Sequence, residues 1–422
     1  MTTPPDVDIR VGMELYASGG PRCFARMKSA PEDFRVEEGL GGVEVLLEGT
    51  SSLLPLYKVQ KRGMDTFHLQ RELANALKSR VSFAGLKDKR AVSVQYATPT
   101  SKRAERPPVV EGEGFRAELV GYIRRPISKG MVSANRFELV LRDCCDEIEP
   151  QIEEVYQMVL SMTLPNFYGL QRFGGKGALT HRVGREIIKG RFEEAFRILL
   201  CESREGDDAD TAEAREAISR GKYEEGYRRL PKGQDIERMV ARRVADKPGD
   251  PSWGLRAVPI GLRRLFTQAY QSYLFNRALS LAVKQGLDIS KSEAGDNWGE
   301  VSRDGLVLLK VHGVREPRTP GAVPLLQLSG FAYRNYGSRF DACVEEAMAD
   351  EGVTAKEFFV EQMQEVSVEG GFRRPHMAAK DLSYDVQAGV ATLEFTLARG
   401  EYATVLVREI VKPEDPDAQG FA

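Results

Sequence analysis

Apolar and polar positions alternate through the first 60 or so residues. The segments Phe34-Arg-Val-Glu-Glu and Val43-Glu-Val-Leu-Leu-Glu-Gly carry β-branched and alternating residues between Gly and Pro punctuation, which predicts strands. The period then changes. Leu69, Leu73 and Leu77 recur every fourth residue, which predicts an amphipathic helix with Asp65 or Thr66 as its N-cap. Residues 79–99 read as strand, turn, strand. Residues 136–143 read as a further strand with Phe137, Leu139 and Leu141 on one face, and a helix through Ile152, Val155 and Val159 follows over about 149–162. A longer helix is predicted over 264–284. From 285 to 370 short strands and helices alternate with frequent Gly. Residues 390–411 read as a hairpin, strand to glycine turn to strand, and the last ten residues are polar and expected to fray.

The chain has 422 residues, 42% of them hydrophobic, which is ample for a core. At about 150 residues per domain this predicts two or three domains, or one domain interrupted by another. No fixed-period repeat is present. No apolar run approaches the roughly 18 residues of a spanning helix, and the N-terminus has neither the basic start nor the apolar stretch of a signal peptide. The expectation is a soluble, cytoplasmic protein. Five cysteines are an odd and low count, and only Cys144 and Cys145 are adjacent, so neither a disulfide framework nor a zinc spacing is expected.

Charge changes the picture. Sixty basic residues nearly balance 62 acids for a formal net of −2, which argues against a chain that is polybasic throughout. The balance conceals blocks. Residues 121–142 have a net of +4, residues 171–191 a net of +5, and residues 201–226 a net of −5. The acidic block is expected to be a solvated helical face or loop. The four histidines lie far apart and none has a metal partner at ligand spacing. The stretch Phe173-Gly-Gly-Lys-Gly-Ala-Leu-Thr lacks the spacing of a phosphate loop and reads as an ordinary glycine turn, and no serine nucleophile elbow occurs. An unrelated α/β metabolic enzyme would need a cofactor loop or metal cluster, and neither is found. What remains is Asp88, on a turn between two strands and flanked by Lys87, Lys89 and Arg90. Alone it is a solvated charged turn. Held ionised by those cations, it is a carboxylate fit to act as nucleophile or base beside an anionic backbone.

Five motifs join Asp88 in order along the chain: KSAPEDFRVEE (28–38), GLKDKRAVSVQ (85–95), PNFYGLQRFGG (165–175), QSYLFN (271–276) and ARGEYATVLVREI (398–410). Together they resemble the TruD family of RNA pseudouridine synthases, whose pattern is roughly K-x-x-PEDF-x-V-x-E, G-x-KD-x-x-A-x-T-x-Q, N-[YF]-F-G-x-QRFG and LP-x-G-[SY]-[YF]-AT-x-x-RE. There are departures: Ser93 replaces Thr, Phe167-Tyr168 replaces Tyr-Phe, and Ala398-Arg399 stand where Pro and its neighbour are usual. None removes a titratable group.

The resemblance implies Asp88 as the catalytic aspartate and Lys28 as an active-site lysine. It implies Glu32, Phe34, Asn166, Tyr168 and Tyr402 as substrate-binding residues. The activity implied is isomerisation of a specific uridine in tRNA, at position 13 in many members, without a metal or organic cofactor. The fold implied is α+β: a pseudouridine synthase core with a mixed, largely antiparallel sheet flanked by helices, interrupted by a large α/β insertion. That places the core at about 1–190 plus 374–422 and the insertion at 191–373. The basic stretches then supply candidate phosphate contacts at Arg124, Arg125, Lys129, Arg172, Arg182 and Arg185, although Arg172 also suits a structural loop contact. A catalytically inactive RNA-binding relative is the alternative; it would be expected to lose some of the aspartate, lysine, asparagine and aromatics, all of which are present. No interface signature is visible, so a monomer is expected.

Overall fold

The computed structural model describes residues 2–85, 87–175, 177–204, 206–313, 317 and 321–421. Along the first 142 residues run helix α1 (Asp6–Arg10), β1 (Arg26–Met27), β2 (Phe34–Leu40), β3 (Leu54–Arg62), α2 (Thr66–Leu77), β4 (Val81–Phe83), β5 (Val92–Pro99), β6 (Val109–Gly112), β7 (Phe115–Ile123) and β8 (Val132–Arg142). Helices then dominate: α3 (Ile148–Leu160), α4 (Thr180–Ile188), α5 (Phe192–Leu200), α6 (Ala209–Ser219), α7 (Tyr223–Arg229), α8 (Asp235–Asp246), α9 (Pro251–Leu255) and α10 (Ile260–Lys284). Short strands follow at β9 (Trp298–Val301), β10 (Leu308–His312), β11 (Val323–Pro324) and β12 (Leu326–Leu328). Helix α11 (Asp341–Asp350), β13 (Gly371–Arg373), the long pair β14 (Ala379–Gln387) and β15 (Val390–Ala398), and helix α12 (Ala403–Val411) complete the chain.

One large sheet organises the molecule, in the order β14-β15-β8-β2-β5-β3-β7-β6, with β1 on β8 and β4 on β5. Only β2 and β5 pair in parallel, so the sheet is mixed and largely antiparallel. This is the α+β class that the motifs imply. Alternation sets its two faces. Phe34 and Val36 on β2, Phe137 and Leu139 on β8, and Leu393 and Phe395 on β15 turn inward into a core that continues beneath α3, α12 and α10. The intervening positions form an exposed charge ladder: Arg35 with Glu138, Lys58 with Glu37, and Arg136 with Glu394. Around β3 and β5, a second core packs Tyr57 and Val59 on Leu69, Leu73 and Leu77 of α2, and the Asp65 side chain caps that helix by accepting from the His68 amide.

Four local expectations fail. Residues 43–49 are not a strand: Leu46 makes a single bridge to Tyr122. Residues 390–411 are not a hairpin. The partner of β15 is β14, and the segment after Gly400 is α12. All nine residues of α12 are buried, so the run shows no alternation, and such a run is ambiguous between strand and helix. The tail does not fray: Gln419 donates to the Ala25 carbonyl, and Phe421 is buried. Finally, Cys23 and Cys145 form a disulfide across 122 residues, because β1 lies against the end of β8 and brings them together. Among the described residues no helix is long and apolar enough to cross a membrane.

Candidate active site

Asp88 lies on the loop between β4 and β5, its side chain a third exposed. Lys28 reaches it with Nζ 2.7 Å from Oδ2, and the Arg90 amide donates to Oδ1 at 3.1 Å. Lys28 has a φ of 59°, in the left-handed region that a lysine seldom occupies, and this turns a nearly buried side chain toward the aspartate. Its ammonium stands 4.8 Å over the Phe34 ring, where the π-face favours the cation. Burial alone would raise the Asp88 pKa. The charge and hydrogen bond of Lys28, the Arg90 amide and the Lys61 charge outweigh it, and the carboxyl is held below its ordinary range. The loop carries an ionised carboxylate with one free side.

The other acids of the PEDF motif are turned away. Glu32 is exposed and paired with Arg62; its own backbone amide and that guanidinium hold its carboxyl low. Asp33 is buried, receives the Ala30 amide at 2.9 Å and is forked by Arg142. Asp33 is thus the structural acid that fixes the turn, a role the motif did not reveal.

A second group assembles on the same face of the sheet. Asn166 is buried: Arg373 donates to its Oδ1 at 2.6 Å, and its own Nδ2 donates to the Arg374 carbonyl at 3.1 Å. The Tyr168 ring lies 6.1 Å from the Tyr402 ring and 5.4 Å from Phe275, with the Arg373 guanidinium stacked 4.1 Å above it. Tyr402 is the N-cap residue of α12, so the helix that replaces the expected second strand sets its position. Asn166, Tyr168, Arg373, Arg399 and Glu401 line a cavity of about 620 Å³, walled on the far side by Leu306–Leu309 and floored by Gly41, Gly42 and Gly130.

Asp88, Lys28 and Phe34 are not in that wall. The two groups are joined by a row across the inward face, where Glu38 pairs with Asn135 and Asn135 with Leu397. Lys87, the neighbour of Asp88, lies over this row, donating to Asn135 Oδ1 at 2.7 Å and pairing with Glu38 at 3.1 Å. The carboxylate and the aromatic cavity therefore flank one end of one sheet face.

The candidate phosphate contacts divide. Lys129 lies beside Gly130 of the cavity floor, its carbonyl accepting from Arg399. Arg125 is exposed, and Arg124 stands 3.5 Å from Glu44. Arg172 is anchored by Ser272 and Gln268 of α10. Arg182 forks onto Glu202, and Arg185 pairs with Glu186 and Glu351. Lys176, in the same basic stretch, lies outside the described residues.

Three buried groups escaped the sequence reading. Asn276, the last residue of QSYLFN, clamps Tyr168: its Oδ1 accepts the Tyr168 amide at 2.8 Å and its Nδ2 donates to the Tyr168 carbonyl at 3.0 Å. Glu401 lies beside Tyr402, and burial pushes its pKa up to about 7 against Arg374 and Arg373. Its signal was a lone acid where the family has Ser or Tyr. Lys61 is 0% exposed under the Asp88 loop, and nothing in its alternating strand marked it as buried.

The family model described as tRNA pseudouridine synthase D (TruD) matches residues 10–410. A protein of Pyrobaculum arsenaticum named probable tRNA pseudouridine synthase D is 32% identical over the full length of both chains. One of Archaeoglobus fulgidus with the same name is 30% identical over 96% of this chain and 99% of its own. The solved structure of a putative tRNA pseudouridine synthase D from Methanosarcina mazei superposes with a TM-score of 0.77 at 25% identity, covering 99% of this chain and 100% of that one. With the ordered motifs, the mixed sheet and these full-length matches in agreement, the chain belongs to the tRNA pseudouridine synthase D family of isomerases.

Proposed function

We propose that the enzyme converts a specific uridine of tRNA, at position 13, to pseudouridine, with Asp88 as the catalytic carboxylate. The observation that carries the reading is the Lys28–Asp88 pair, 2.7 Å apart. The target nucleotide leaves its stack, because a stacked and paired base hides its sugar. The cavity is large enough for a base, and the Tyr168 ring in its wall offers a face, a stack worth about 1–3 kcal/mol. Asp88 then attacks C1′, or removes the C2′ proton, as the C1′–N1 bond breaks and its electron pair stays on the uracil. Lys28 counters that charge. The uracil turns in place and C5 bonds to C1′, displacing the Asp88 carboxylate from C1′ in the first route, or with Asp88 returning the proton to C2′ in the second. The C5 proton is lost and N1 gains one, so the reaction is an isomerisation without a co-reactant.

In this reading residues 1–190 and 374–422 are the catalytic core and 191–373 an inserted unit. The ten strands of the large sheet, all within 26–142 and 379–398, support that division. Lys28, Glu32, Phe34, Asn166, Tyr168 and Tyr402 bind the nucleotide. Arg124, Arg125, Lys129, Arg172, Arg182 and Arg185 are candidate phosphate contacts. The test uses unmodified tRNA transcript, with pseudouridine mapped by chemical adduct and primer stops. Wild type is expected to form product and Asp88→Asn none, while Asp88→Asn still binds tRNA. Undiminished product with Asp88→Asn refutes the assignment.

A further inference from the structure

Beneath the Asp88 loop lies a charge that the reaction, as described, does not use. Lys61 ends β3 and is fully buried. Among the described residues no carboxylate lies within 4.0 Å of its ammonium. Its three donors go instead to backbone carbonyls: Met64 at 2.8 Å, Lys87 at 3.3 Å and Asp88 at 2.7 Å. The charged groups that face it are Asp88 and Lys87 from the loop and Asp65 from the head of α2. Its cross-strand neighbour is Ser93, whose buried hydroxyl finds no partner among the described residues, so the ammonium has taken the loop carbonyls in preference to the adjacent hydroxyl.

A buried ammonium without a counter-ion is costly, and an apolar side chain of similar length would serve stability as well or better. Its position has to be explained by what it holds. Two of its three hydrogen bonds end on the peptides of Lys87 and Asp88, the residues that carry the carboxylate and the bridge to the Glu38–Asn135 row.

We infer that Lys61 is a positioning residue for the isomerisation: it fastens the backbone of the Asp88 loop to the sheet and, from below, helps keep the carboxylate ionised. Lys28 acts on the carboxylate itself and Lys61 on the backbone that carries it. The role rests on the assignment of Asp88 as the catalytic group.

The experiment compares Lys61→Met, Lys61→Gln and Asp88→Asn in steady-state pseudouridine formation on a tRNA transcript, with pH profiles and melting temperatures. A displacement of about 1 Å at a reacting group costs up to about 100-fold, so Lys61→Met is expected to lose about that much in kcat with KM within about threefold of wild type. The acid limb of its pH profile moves to higher pH, because a charge favouring the carboxylate is gone. Lys61→Gln retains donors for the carbonyls without the charge. It is expected to recover part of kcat and to keep the displaced limb, and it also serves if Lys61→Met does not fold. Wild-type kcat with an unmoved acid limb in either folded variant overturns the inference. So does a loss that disappears when the variant is assayed well below its melting temperature, since that assigns Lys61 to folding alone. Activity in Asp88→Asn refutes the catalytic assignment, whereas an inactive Asp88→Asn beside a fully active Lys61 variant refutes only the role of Lys61.

Discussion

Glu401 makes the stability of this enzyme depend on pH in a window that can be worked from the structure. Its side chain is 2% exposed. Its oxygens accept the Ala378 amide at 3.1 and 3.2 Å and the Ala398 amide at 3.2 Å, and Arg374 stands 3.4 Å away. Burial outweighs these partners and lifts its pKa from 4.5 to about 7. Between those values the folded protein holds a proton that the unfolded chain has released. Glu401 therefore removes stability as pH rises from about 4.5 to about 7. At 1.36 kcal/mol per pH unit the loss is about 3 kcal/mol. His181 and His376 act in the opposite direction: burial lowers both to about 4, so the unfolded chain holds the extra protons and stability rises with pH up to about 6.5. The wild-type curve sums these trends, and the difference between wild type and Glu401→Gln isolates the acid. At about 2.1 cal/mol/K per residue for a single cooperative transition, about 3 kcal/mol corresponds to about 4 °C for a chain of 422 residues. The assay is calorimetry of both proteins from pH 4.5 to 7.5. The melting temperature of wild type relative to Glu401→Gln is expected to fall by about 4 °C across the window. A difference that stays constant to within about 1 °C refutes the reasoning.

Cys23→Ser is expected to destabilise the protein by up to about 5 kcal/mol, the loop-closure value for a 122-residue link, and reductant should lower the wild-type melting temperature but not that of the variant. Asn276→Ala leaves the Tyr168 amide and the Tyr168 and Val11 carbonyls without their partner; about 3 kcal/mol of stability is expected to be lost, read by denaturant midpoint, with KM for tRNA rising as the Tyr168 ring loses its anchor.

Much of this was legible where local and tertiary signals agree. The leucine period of α2 and its Asp65 cap are local facts, and the alternation of Phe137, Leu139 and Leu141 fixes the inward face of β8 whatever pairs with it. Segments whose form depends on distant partners were not legible. The buried run of α12 carries Arg408 and Glu409, and it is a helix because Arg408 reaches Asp8 at 2.6 Å while Glu409 takes the Ala17 amide at 2.9 Å. Those partners stand some 400 positions away. The same limit applies at the site. The motifs name Lys28 and Asp88, and the structure sets them 2.7 Å apart, but the part of Asp33 was hidden because its partner, Arg142, comes from β8. Lys61 was invisible because its partners are carbonyls, which leave no mark in a sequence.

The basic blocks show what charge counting alone misses, and they make a measurable claim about RNA binding. In residues 171–191, Arg182, Arg185 and Arg191 are already matched by Glu202, Glu186 and Glu351. In residues 121–142, Arg136 and Arg142 are matched by Glu394 and Asp33. Arg373 and Arg399 of the cavity wall, Lys129 next to it and the exposed Arg125 have no carboxylate within 4.0 Å among the described residues. A polyanion gains most from cations that give up no ion pair, so these four should dominate the phosphate grip. Four released counterions give a log–log salt slope of about −3 to −4. A slope near −7 would require about eight contacts and would mean that the paired arginines open to receive RNA. Charge reversal separates the cases directly. Arg125→Glu with Lys129→Glu is expected to weaken tRNA binding more than Arg182→Glu with Arg185→Glu, when both are measured at one salt concentration on folded protein. The reverse order would place the phosphate path along α4, where the ion pairs now stand.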